Sequence, residues 1–121
     1  MKQLNAKDKI DSLIDAADAG IKSSQFAINM LLAIHVLCNK TGAPPTRGAV
    51  ADVLYQVLDL DYGTVIGDVS EYLNAFRGSL ITQLLTHRDG RVRENALNDT
   101  ARAYIKRIRT KLNKKSWVVV E

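Results

Sequence analysis

The sequence predicts a mainly α-helical fold carrying one small β-hairpin, and three observations predict it. Five segments repeat apolar residues at helical spacing. Between the fourth and fifth, the β-favouring run Ile81 to Thr86 leads to Asp89-Gly90. That pair is a two-residue hairpin signal, because aspartate and glycine tolerate the positive φ angles of a type I′ turn. The length, 121 residues, gives room for one core, so residues 1–121 are read as a single domain.

Asn5 is placed to cap a first helix over residues 5–20, with Asp8 three residues on. Ile10, Leu13, Ile14 and Ala17 form one narrow apolar stripe, and Gly20 ends the segment. Ser23 or Ser24 can cap a second helix that runs to about Lys40. Its residues Phe26, Ile28, Met30, Leu31, Leu32, Ile34, Val36, Leu37 and Cys38 go nearly all the way round, which predicts a central helix. Gly42 and Pro44-Pro45 stop it. Thr46 caps a short third helix whose buried face is Val50, Val53, Leu54 and Val57, with Asp52 and Gln56 outside. Asp61 caps a fourth helix, 61–77, buried through Val65, Val69, Leu73 and Phe76 and stopped by Gly78. Folding about Asp89-Gly90 sets Arg88 opposite Arg91, His87 opposite Val92 and Leu85 opposite Glu94. Asn98-Asp99 then caps a last helix, 99–115, with Ala101, Ile105, Ile108 and Leu112 as its stripe. A short apolar tail, Trp117 to Val120, follows.

At 46% apolar and 25% charged residues the composition is that of a globular chain, which excludes wholesale disorder. The net charge of +4 is unevenly spread. Residues 1–60 balance six cations against six carboxylates, whereas residues 77–115 set eleven cations against three carboxylates, a net +8. A one-ended excess suits a polyanion, since each neutralised phosphate releases condensed counterions. The single cysteine, Cys38, has no internal disulfide partner and fits a reducing cytoplasm. No secretory leader is expected at the N-terminus. The most apolar run, Phe26 to Cys38, is shorter than the roughly 20 residues of a membrane span, so no membrane association is expected.

The order of four helices, a hairpin and a closing helix resembles the winged helix-turn-helix regulators of the MarR and PadR type, over roughly residues 24–110. The phrase Ala96-Leu97-Asn98-Asp99-Thr100-Ala101-Arg102 is similar to their wing-to-helix join. The resemblance implies a recognition helix at 61–77, a wing at 81–97, and a homodimer paired through the terminal helices. Ile10, Leu13, Ile14, Ala17, Ile105, Ile108 and Leu112 are then the dimerisation residues. Two readers would stand about one DNA turn apart, ~34–36 Å.

The residues themselves give each part a physical case. A helix fits the major groove, where base edges display distinguishable donors and acceptors. Thr64, Asp68, Glu71 and Asn74 lie on the outer side of helix 61–77, with Arg77 at its end. Gly63 and Gly67 would let backbone approach closely. Asp68 and Glu71 repel phosphate but can accept from cytosine amino groups. His87, Arg88, Arg91 and Arg93 surround the hairpin turn, and arginine suits phosphate oxygens and narrow minor grooves. Thr46 and Arg47 can meet phosphate at a helix start, although capping alone explains Thr46 equally well. The expectation is a sequence-specific double-stranded DNA-binding protein, a repressor-like transcriptional regulator. The alternatives are a protein-interaction module, with the tail recruiting a partner, and a plasmid or phage replication or partition protein. Catalysis is not expected. Two histidines in separate elements, with no phosphate loop or nucleophile elbow, make no active site. His35 and Cys38 share a helix face but fall short of the four ligands a structural metal takes, so neither metal nor cofactor is expected.

Overall fold

The computed structural model describes residues 6–58, 60–78, 80–85 and 93–97. Four helices dominate them: α1 (Ala6–Asp18), α2 (Lys22–Thr41), α3 (Arg47–Val57) and α4 (Tyr62–Phe76). Two short strands follow, β1 (Ile81–Leu85) and β2 (Arg93–Leu97), paired antiparallel.

Helix α2 is the axis of the molecule. Nine consecutive residues, Phe26 to Ile34, are buried, so the all-round apolar pattern does mark a central helix. It starts one residue before Ser23, at Lys22, and no side chain caps it. Its end is where Gly42 enters the left-handed region (φ 74°) and donates its N–H to Cys38 O at 2.9 Å. A side chain there would be strained, which is why glycine suits the position.

Helix α1 doubles back onto α2 through a tight turn at Gly20, whose φ is 92°. Ile10, Ile14 and Ala17 are at most 2% exposed within the single chain, and Leu13 packs against the same core. Gln25 Nε2 donates to Ala17 O at 3.0 Å and holds the end of α1 to the start of α2. Helices α3 and α4 carry the caps the sequence assigns them. Thr46 Oγ1 accepts from Ala49 N at 3.3 Å, and Asp61 Oδ2 accepts from Thr64 N at 3.0 Å. Val50, Ala51 and Leu54 of α3 meet Val65, Val69 and Leu73 of α4 in the common core. Phe26, Tyr72 and Phe76 stack in series, with ring centroids 5.7 and 5.9 Å apart, and so tie α2 to α4. Leu80, fully buried, anchors the exit from α4.

The winged helix-turn-helix with terminal dimerisation helices is corrected here. The described chain is mainly helical; β1 and β2 pair, but residues 86–92 between them lie outside the described residues, so a β-hairpin wing is not shown. Two findings carry the correction. The stripe of α1, expected to await a second subunit, is covered by the chain's own core. The strand register is Leu84↔Glu94 and Leu85↔Arg93, not Leu85↔Glu94. Leu85 and Arg93 are separated by the seven residues 86–92, an odd number. An unbroken ladder closed by a two-residue turn separates opposed partners by an even number. Val57 also departs from expectation: it is 40% exposed rather than part of the buried face of α3.

Candidate nucleic-acid interface

Helix α4 is locked on one side and open on the other. With 100° of rotation per residue, Val65, Val69 and Leu73 point into the core. Gly63, Thr64, Gly67, Glu71 and Asn74 are exposed on the opposite side, while Asp68 is half-buried on its flank. Among the described residues, and apart from the neighbouring backbone of α4 itself, no atom lies within 4 Å of where a Cβ would stand on Gly67. The middle of this face is therefore low, and another surface can reach its backbone.

The N-terminal turn of α4 is built by one aspartate. Asp61 Oδ2 takes the Thr64 N–H, and Asp61 Oδ1 accepts from the Thr64 hydroxyl at 2.6 Å. The hydroxyl bond first, and the N–H bond second, hold the Asp61 carboxyl below its ordinary value near 3.8. The Thr64 hydroxyl is thus committed to the cap, and its proton is not free for a base edge.

The other flank is set by α3. Thr46 is half-buried and spends its hydroxyl on the helix cap. Arg47, exposed, reaches across to α4 and donates from Nη1 to Ser70 Oγ at 3.0 Å. Ser70 in turn donates to Ile66 O at 2.9 Å. One guanidinium N–H is used in this way. The remaining donors of Arg47 make no bond among the described residues, which leaves them for an anion.

Thr64, Glu71 and Asn74 are thus exposed on the outer face of α4, Asp68 is half-buried on one flank, Arg47 next to Thr46 reaches the other flank through Ser70, and Arg77 is exposed at the end of α4. Arg93 falls in β2. His87, Arg88 and Arg91 lie outside the described residues, as do Ile105, Ile108 and Leu112. Ser70, which positions Arg47, was not singled out from the sequence, because no local pattern announces a contact across 23 residues. The exposed pair Tyr55 and Tyr62 was also missed: Tyr55 falls outside the apolar stripe of α3, but Tyr62, three residues before Val65, is in phase with the stripe of α4, and periodicity alone would bury it.

His35 Nε2 and Asn39 Nδ2 are 3.2 Å apart on the surface of α2, and Cys38 is a half-buried free thiol. Among the described residues no three His, Cys, Asp or Glu side chains gather as a metal ion would need. Among those residues, too, no helix is long and apolar enough to cross a membrane.

The lowered Asp61 value has a consequence in acid. A depressed carboxyl contributes stability that is present above its unfolded value and is lost as pH falls through its folded value. Asparagine caps about as well without a charge. The urea midpoint of the native chain should therefore drop relative to that of Asp61→Asn as pH falls below about 3.8. Midpoint curves that stay parallel over that window would show that the charged cap contributes nothing.

Comparison with protein families, curated proteins and solved structures finds no match to this chain.

Proposed function

We propose that this chain is a sequence-specific double-stranded DNA-binding protein that acts as a transcriptional regulator, with the outer face of α4 as its base reader. The observation that carries this reading is that face itself. It is polar, open and low at Gly67, on a helix held rigidly by its opposite side. A rigid rod of this kind suits the major groove. Arg47 flanks it with donors that are unused among the described residues. The net +8 of residues 77–115 supports the reading with sequence-independent attraction to phosphate. The carboxylates Asp68 and Glu71 limit what the helix can read. Among base edges they accept from cytosine N4, so a cytosine-containing site is the expected target.

Selection by the full chain from a random duplex library tests the proposal. An enriched site with cytosine facing α4 is the expected result. Two-fold symmetry in that site would report a homodimer, and an unsymmetrical site a single copy. Arg88→Ala with Arg91→Ala should weaken binding to every sequence and reduce the slope of log affinity against log salt by about one per lost phosphate contact. Failure to enrich any site, with no salt-dependent affinity for duplex DNA, rules the proposal out.

A further inference from the structure

Four of the five large apolar side chains exposed among the described residues fall within one stretch of eight. Tyr55 is 49% exposed, Val57 40%, Leu60 43% and Tyr62 42%. They surround the junction of α3 and α4. Tyr55 and Tyr62 meet edge to face, with centroids 5.6 Å apart and planes at 81°. That geometry joins the edge of one ring to the face of the other and leaves ring faces open to solvent.

The charges beside this edge are negative. Asp52 is exposed one turn before Tyr55, and it makes no hydrogen bond or ion pair among the described residues. Asp61, exposed and adjoining Tyr62, is held in its ionised form by Thr64. The wider chain agrees, since residues 1–76 hold six cations against nine carboxylates. Carboxylates beside aromatic faces disfavour a polyanion and favour a cation that can stack. Arginine meets both demands, because its planar guanidinium lies on a ring face while its N–H fork pairs with a carboxylate.

We propose that the Tyr55–Tyr62 edge is a docking site for a protein segment that presents arginine beside an apolar residue. The arginine stacks on a tyrosine face and pairs with Asp52 or Asp61. The apolar neighbour covers Val57 and Leu60. This surface adjoins the outer face of α4 at the Asp61–Thr64 cap, but the proposal stands without the DNA reading.

A fluorescently labelled peptide that alternates arginine with leucine tests it on the full chain by anisotropy, beside matched lysine and glutamate peptides. The arginine peptide should bind best, and the glutamate peptide should not bind. Tyr55→Ala and Tyr62→Ala should each weaken binding about two- to fivefold, the range for an exposed cation–π contact. Tyr55→Phe, which keeps the ring, should restore affinity, and Asp52→Asn should lower it. No binding of the arginine peptide, equal binding by all three peptides, or full affinity in both alanine variants would each overturn the proposal. So would self-association of the native chain that Tyr55→Ala abolishes in the absence of peptide binding, because the occupant would then be a second copy.

Discussion

Ile14→Ala is expected to lower the free energy of unfolding by about 2–5 kcal/mol, and by the same amount at low and high protein concentration. Ile14 is 2% exposed within one chain, with Ile10 and Ala17 beside it in the shared core. Truncating it removes apolar contact and leaves a cavity that a close-packed core fills only in part. Against a total stability of about 5–15 kcal/mol for a domain, that loss brings the chain near its threshold. Concentration decides what the residue does. A residue that packs its own chain gives a midpoint independent of protein concentration, whereas a subunit interface gives one that rises with it by mass action. Urea melts at two widely spaced concentrations check this. A native midpoint that climbs with concentration, and an Ile14→Ala midpoint that does not, would return α1 to a dimer interface.

That distinction marks how far the sequence could be read. The spacing of Ile10, Leu13, Ile14 and Ala17 says that one face of α1 is covered, and it is. Periodicity cannot say whether the cover comes from the same chain or another. The caps at Thr46 and Asp61 were legible because a cap is a local bond, three residues long. The centrality of α2 was legible because only a surrounded helix tolerates apolar residues on every side. The strand register was not. Ile81-Thr82-Gln83-Leu84-Leu85 lacks strict apolar–polar alternation, so its pattern does not discriminate between registers one residue apart. The candidate site was half legible. Hydrophobic spacing put Thr64, Glu71 and Asn74 on the outer face of α4, but the Arg47–Ser70 bond that frames this face is tertiary. The wing arginines Arg88 and Arg91 lie outside the described residues.

Asn29→Asp should be among the most destabilising single-atom changes in the chain, and its cost should depend on pH. Asn29 is the one buried polar side chain among the described residues, 2% exposed on the central helix. Its Nδ2 donates to the Gln25 carbonyl at 2.8 Å. An ionised aspartate has no donor to offer, so its oxygen would face the carbonyl oxygen across that distance, without solvent. Burial raises the folded value of such a carboxyl above its unfolded value of about 3.9. A raised carboxyl value gives a cost that is absent when both states are protonated and grows as pH rises above about 3.9. At neutral pH the variant should therefore be less stable than the native chain by about 1–3 kcal/mol, the cost of leaving the part-buried Gln25 carbonyl without this donor. In acid the protonated carboxyl regains an O–H donor that can replace Nδ2, and the gap should narrow. Urea melts of both chains at neutral and acid pH, read as a difference to remove the acid sensitivity they share, test the sign directly. A gap that is constant with pH would mean that the carboxylate swings out to water at small expense. A gap that widens in acid would contradict the buried, donor-dependent role assigned to this residue.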